Sequence, residues 1–150
     1  MQQPQYHQPR LSLWADRLRL IDKVSIPKGI PAIYAVVNLI NQRMYIGRTR
    51  CARKRAKEHL SHLKNGTHHV VDLQVDFRRF GPQWFEFRVL EIVSDPADLE
   101  AREDEWILRH SKAQLYNAPA EYDRAGRRRR RRISRYVQGS LFEFADDVAP

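Results

Sequence analysis

The apolar positions of this chain switch between two spacings, and the switches divide it into elements. Ala32 to Asn38 is apolar and β-branched, and Arg43 to Arg48 resumes an extended pattern after Asn41-Gln42, which predicts a hairpin closing around Leu39 to Gln42. Helical spacing takes over from Ala52 to Lys64, where Ala56, Leu60 and Leu63 form a core stripe and Asn65-Gly66 a stop. Thr67 is a candidate cap for a second helix from His68 to Phe80, with Val71, Val75 and Phe77 or Phe80 facing inward, halted by Gly81-Pro82. Period two returns from Trp84 to Val93, where Phe85, Phe87 and Val89 alternate with Glu86 and Arg88. Ser94-Asp95-Pro96 turns the chain into a third helix that starts at Ala97 or Asp98 and ends at His110. Upstream, Leu11, Trp14, Leu18 and Ile21 suit a short amphipathic helix ending near Asp22.

The polar residues that interrupt these patterns carry the candidate chemistry. A closed hairpin brings Tyr34 and Tyr45 near one another, because neighbouring strands share their faces. Gly47 permits a backbone geometry or a close approach that a side chain would block. On the first helix Arg55, His59 and His62 form a stripe at the border of core and solvent, and Arg53, Lys54, Lys57 and Lys64 fill the outer face. His68 and His69 open the second helix, where amide groups favour an anion. On the third helix Glu103 shares the inward stripe of Leu99, Trp106, Ile107 and His110, whereas Glu100, Asp104 and Glu105 belong on or nearer the outer faces. A carboxylate turned to the core needs a partner, because desolvating it costs several kcal/mol. The spacing admits either an internal ion pair, to Arg55 for instance, or a hard oxygen ligand for Mg²⁺.

Charge changes the picture next. A formal net charge of +9 over 150 residues points to a polyanionic partner, and six consecutive arginines, Arg127 to Arg132, concentrate it. Like charges at that density repel, so residues 121–150 are expected to be a mostly disordered tail that binds phosphates without reading sequence. Residues 1–28 are expected to be an extension and 29–120 the folded domain. A single cysteine, Cys51, excludes a disulfide framework and a multi-cysteine zinc site. No apolar run approaches the roughly 20 residues needed to span a bilayer, and the amino terminus lacks the profile of a secretory signal. No membrane partner is expected, and the protein is expected in the cytoplasm.

The ordered set Tyr34, Tyr45, Gly47, Arg55, His59, His68, Glu103 and Asn117 resembles the GIY-YIG nucleases. The family's first motif stands here as Ala32-Ile33-Tyr34, with alanine for its usual glycine, and its second, intact, as Tyr45-Ile46-Gly47. Arg55-x-x-x-His59, Asn65-Gly66-Thr67-His68, Leu73-Gln74, Phe80-Gly81 and Tyr116-Asn117 follow in the family's order, in the manner of its homing-endonuclease members. Arg48 departs from the small polar residue commoner after the second motif. The resemblance implies an α/β fold of the α+β sandwich kind: a three-stranded antiparallel sheet flanked by helices. It also implies a DNA endonuclease, with one Mg²⁺ or Mn²⁺ on Glu103 and Arg55 on the phosphoryl charge. Water activation falls to Tyr34, helped by His59 or Tyr45, with His59 the rival base, and His68 and Asn117 orient substrate or brace the site.

Arg48, Arg53, Lys54 and Lys57, with Arg127, Arg128, Arg129, Arg130, Arg131 and Arg132, are expected to bind the nucleic acid. Short tails in place of a long DNA-reading domain imply low or modest sequence specificity, with single-stranded or structured DNA among the substrates and RNA as a further option. Such a protein is expected to be bacterial or phage-encoded and associated with the nucleoid. The alternative is a non-cleaving nucleic-acid-binding module on the same scaffold. Gln138, Leu141 and Phe142 also look like a short peptide that docks on the bacterial sliding clamp.

Overall fold

A computed structural model describes residues 29–143. Its elements are β1 (Ala32–Asn38), β2 (Met44–Thr49), α1 (Ala52–Asn65), α2 (Val71–Phe80), β3 (Phe85–Ile92), α3 (Leu99–Leu108) and α4 (Pro119–Glu143). Short 3-10 turns lie at Pro82–Trp84, Pro96–Asp98 and Lys112–Gln114. The helix expected before Asp22 lies outside the described residues. No described helix is long and apolar enough to cross a membrane.

The strands form one antiparallel sheet in the order β2-β1-β3, so β1 is central, and all seven of its residues are buried. A central strand covered on both faces has no use for polar alternation, which is why β1 reads as an unbroken apolar run. Ile33, Ala35 and Val37 join Ile46 against Leu99, Ile107 and Ala125 of α3 and α4. Tyr34, Val36 and Tyr45 face the other way, onto Leu63 of α1 and Leu73 and Phe77 of α2. The expected sandwich is therefore present, with a pair of helices on each face.

Two local expectations are corrected. The second helix begins at Val71 rather than His68, with Val70 and not Thr67 at the cap position. The loop before it is committed elsewhere: Thr67 donates its amide to the His62 carbonyl, His68 to Gln74 Oε1, and Val70 to His68 Nδ1. The late start turns Leu73, Gln74 and Phe77 inward and leaves Val71 and Val75 70% and 56% exposed.

The larger correction concerns the arginine run, which is helical. Pro119 at its first helical position and Glu121, which accepts from the Ala118 amide, start α4 in a favourable way. Ala125 then packs into the aliphatic core. Repulsion along the run is offset by Asp104, which is fully buried and takes Arg128 Nη2 at 2.5 Å, Arg128 Nε at 2.9 Å and Arg132 Nη1 at 3.0 Å. On a bare α3 Asp104 would have the outer face that its spacing predicts. Docking of α4 gives α3 a second buried flank, and the acid on that flank is the one that anchors the two helices.

Candidate active site

Tyr34 pairs in register with Gly47, and Val36 with Tyr45. The two phenols are therefore diagonal neighbours on one face, with ring centroids 6.4 Å apart. A β-carbon on Gly47 would stand 2.5 Å from the Tyr34 hydroxyl, so the glycine is there for close approach rather than for an unusual φ. On the other side of Tyr34 the pairing with β3 slips by one residue between Ile33 and Tyr34. Such a bulge re-aims the neighbouring side chains. Phe87 stacks on the Tyr34 ring at 4.8 Å.

Arg55 and His59, one turn apart on α1, both reach the Tyr34 hydroxyl. Arg55 Nε donates to it at 3.0 Å, and His59 Nε2 lies 2.8 Å from it. Glu58 holds the rest of the Arg55 fork through Nη1 at 3.0 Å. Behind His59, its Nδ1 meets His68 Nε2 at 2.7 Å, and the His69 ring stacks on His68. Burial, with Arg55 and the other imidazoles nearby, pushes His59 down to about 3, and burial with His69 pushes His68 down to about 4. Both rings are thus neutral at physiological pH. Burial raises Tyr34, partly offset by Arg55, and raises Tyr45 further.

Glu103 comes from the opposite side of the sheet. Its side chain is 16% exposed, and Oε2 takes Arg48 Nη1 at 2.5 Å. Its charge is felt at both Tyr34 and Tyr45. Burial raises the Glu103 carboxyl and Arg48 draws it back down. A cleft of about 270 Å³ lies here, lined by Tyr45, Arg48, Glu103, Asn117, Arg124 and Arg128. A second hollow of about 360 Å³ lies on the other side of Arg48, among Arg50, Lys54, Arg55 and Glu58.

The sequence-derived set divides into three. Tyr34, Tyr45, Arg55, His59 and His68 share one connected network. Glu103 meets that group at the cleft wall through Tyr45, and its cation is Arg48 rather than Arg55. Asn117 shares the cleft wall with Tyr45 and Glu103 but hydrogen-bonds to neither: it accepts from the Ile46 amide and donates to the Ile46 carbonyl, both at 2.8 Å, and so fixes β2 like an added strand. Tyr34, expected to meet the attacking water, is 1% exposed, while Tyr45 lines the cleft.

Among the expected nucleic-acid contacts, Arg48, Arg128 and Arg132 are engaged within the chain. Lys54 and Lys57 on α1 and Arg127, Arg129, Arg130 and Arg131 on α4 are exposed, and Arg53 is half-buried. Stripe spacing along a helix does not reveal the roles of Glu58 and Asp104. Glu58 carries an i, i+3 signal to Arg55 that was available, whereas Asp104 depends on where α4 docks.

No described group of three or more His, Cys, Asp or Glu side chains could hold a metal. The donor chemistry does fit a hard divalent ion bound through one carboxylate, with water and phosphate oxygens completing the shell. Glu103 is the residue that would hold it, and Arg48 would have to yield the shared oxygen.

Residues 30–117 match the GIY-YIG catalytic domain family. The chain is 36% identical over 87 residues to intron-associated endonuclease 1 of Enterobacteria phage T4, a match spanning 57% of this chain and 35% of that protein. The chain thus covers about a third of that relative's length. Among solved structures it resembles the catalytic domain of homing endonuclease I-TevI at 31% identity and a TM-score of 0.53, covering 58% of this chain and 96% of that one. A glutamate-to-alanine mutant of the same catalytic domain matches equally well, over 59% and 92%. These matches give no support to clamp docking through Gln138, Leu141 and Phe142, which fall in the last turns of α4.

Proposed function

The chain belongs to the GIY-YIG endonuclease family, and from that premise we propose that it hydrolyses phosphodiester bonds in DNA with the help of one divalent ion, Mg²⁺ or Mn²⁺, and with low or modest sequence specificity. The observation that carries this reading is the meeting of Glu103 and Tyr45 across a single cleft, with Arg55, Tyr34 and His59 connected behind Tyr45. Phosphodiester hydrolysis requires a place for charge on the phosphoryl oxygens and a route for the proton of the attacking water. An ion on Glu103 would polarise a phosphoryl oxygen and offset charge on the departing one.

The chain's own residues supply the rest. The Arg55 fork, held by Glu58 and Tyr34, is a fixed cation beside the two phenols and suits phosphoryl oxygens. Tyr45 lines the cleft and meets the substrate, while Tyr34 beneath it tunes the charge of the site. Arg48 leaves Glu103 for a phosphate when the nucleic acid arrives. Asn117 keeps β2, and with it Tyr45 and Gly47, in register.

The nucleic acid is bound by Lys54 and Lys57 on α1 and by the outward arginines of α4, which flank the site from either side of the sheet. Since Arg128 and Arg132 are spent on Asp104, we assign phosphate contacts to Arg127, Arg129, Arg130 and Arg131. These residues carry no base-reading pattern, which supports modest specificity and leaves single-stranded and structured DNA within reach.

The test is cleavage of plasmid, single-stranded and branched DNA with Mg²⁺ or Mn²⁺, comparing the intact chain with Glu103→Ala. Metal-dependent cutting by the intact chain and its loss in the variant is the expected result. Tight binding by the intact chain without cutting would overturn this reading in favour of a binding module, and cutting of RNA alone would overturn the substrate.

A further inference from the structure

The imidazoles of His59 and His68 are each hydrogen-bonded through both ring nitrogens, and this has a consequence for where their protons sit. The Val70 amide can only donate, and it meets His68 Nδ1 at 3.1 Å, so that nitrogen accepts. A neutral His68 must then carry its proton on Nε2, which faces His59 Nδ1 at 2.7 Å. His59 Nδ1 in turn accepts, and the His59 proton lies on Nε2, 2.8 Å from the Tyr34 hydroxyl. Arg55 Nε is a second obligatory donor to the same oxygen at 3.0 Å. The ring orientations are not free to invert, since a flip of either ring would place carbons at two of the three polar contacts.

We propose that the Val70 amide, acting through His68, locks His59 as a hydrogen-bond donor to Tyr34, which makes His68 a positioning residue and removes His59 as the base. The Tyr34 oxygen then receives two donors, and its own O–H has no other hydrogen-bond partner among the described residues. That bond is the one the phenol, 1% exposed, has left for a water that reaches it from the cleft beside Tyr45. When Tyr34 ionises, its proton passes to that water and not to His59, whose Nε2 is already occupied. The two donors that remain stabilise the phenolate, as donors aimed at developing charge do.

The opposite polarity would set a proton on His68 Nδ1 against the Val70 N–H, two donors head to head at a residue that is 7% exposed. His68 is held against turning away from that amide, because its own amide donates to Gln74 Oε1 and Gln74 Nε2 donates to the Leu63 carbonyl. The depressed basicity of both rings agrees with neutral imidazoles. The groups facing them are Arg55, Tyr34 and Tyr45, with His62 and His69.

The inference rests on the nuclease reading only for its kinetic readout. The full chain, labelled with ¹⁵N-histidine, is studied by two-bond ¹H–¹⁵N spectra at neutral pH, which report which ring nitrogen bears the proton. His59 and His68 are expected as Nε2–H tautomers in the unaltered chain. His68→Gln keeps an acceptor for Val70 and a donor for His59, so His59 stays an Nε2–H tautomer and cleavage is expected to fall by less than about tenfold. His68→Glu offers only acceptors, turns the His59 proton to Nδ1, and is expected to lower cleavage on the order of a hundredfold, as loss of one donor to a developing negative charge does. An Nδ1–H tautomer at His59 in the unaltered chain overturns the proposal outright, whether or not either variant folds. Equal cutting by the two variants overturns its catalytic consequence. If the chain cuts nothing, the spectra still decide the tautomer, so failure here is distinguishable from failure of the nuclease reading.

Discussion

The two faces of the sheet are fed by the same central strand and are built on different principles. Odd-numbered residues of β1 enter an aliphatic core beneath α3 and α4, whose charged element is the Asp104 ion cluster between those helices. Even-numbered residues enter an aromatic core beneath α1 and α2, in which a phenol and two imidazoles are buried with hydrogen bonds to one another. Polar groups on the aliphatic side hold the fold together. Those on the aromatic side hold one another in a defined protonation pattern. A buried polar group is tolerable when satisfied, and a network with directional donors is worth conserving in place because it also sets chemistry.

Breaking the ion cluster should have the largest effect. In the double variant Arg128→Met, Arg132→Met the Asp104 carboxylate is left buried and unpaired, and urea unfolding should show a loss of about 3–5 kcal/mol. A loss below about 1 kcal/mol would mean that α4 is not anchored through Asp104. The outward pair, Arg127→Ala with Arg131→Ala, should change stability by less than about 0.5 kcal/mol. It should instead lower the salt dependence of DNA binding by roughly two in log-log slope, because two phosphate contacts are gone.

Gly47→Ala strikes the aromatic face. The new methyl must displace the Tyr34 hydroxyl, at a cost of about 1–3 kcal/mol by overpacking. Cleavage should fall by far more than that stability loss accounts for, and an active Gly47→Ala enzyme would show that the Tyr34 position is not demanding. Asn117→Ala leaves the Ile46 amide and carbonyl without their partner and should cost about 1–3 kcal/mol. Because Asn117 braces β2 and has no hydrogen bond to Tyr34, Arg55 or His59, the residual activity of Asn117→Ala at low temperature should exceed that of Gly47→Ala.

The gentlest probe is pH. His59 and His68 have folded-state pKa values lowered to about 3 and about 4 from 6.5, so the unfolded chain binds protons first as pH falls. Their contribution to stability is whole above pH 6.5 and is lost progressively as pH drops toward those folded values. Each can contribute a slope of at most about 1.4 kcal/mol per pH unit. Thermal melts from pH 7.5 to 4.5 should therefore show falling stability, and His59→Gln should flatten the curve. A curve of unchanged shape in that variant would show that His59 is not a source of the acid sensitivity.

Local order along the chain was enough to determine the hairpin, Tyr34 beside Tyr45, and Arg55 above His59, because strand pairing and helical pitch act over a few residues. Gly47 as a point of close approach was legible for the same reason. The partner of Glu103, the burial of Asp104 and the helicity of the arginine run were decided by tertiary structure. Each depends on a contact between segments distant in sequence, and a charge run reads as self-repelling until a buried carboxylate 24 residues away is brought against it. The start of α2 belongs to that second group. Its first turn was given up so that the Val70 amide could serve His68, a competition between local helix and long-range network that spacing alone does not reveal.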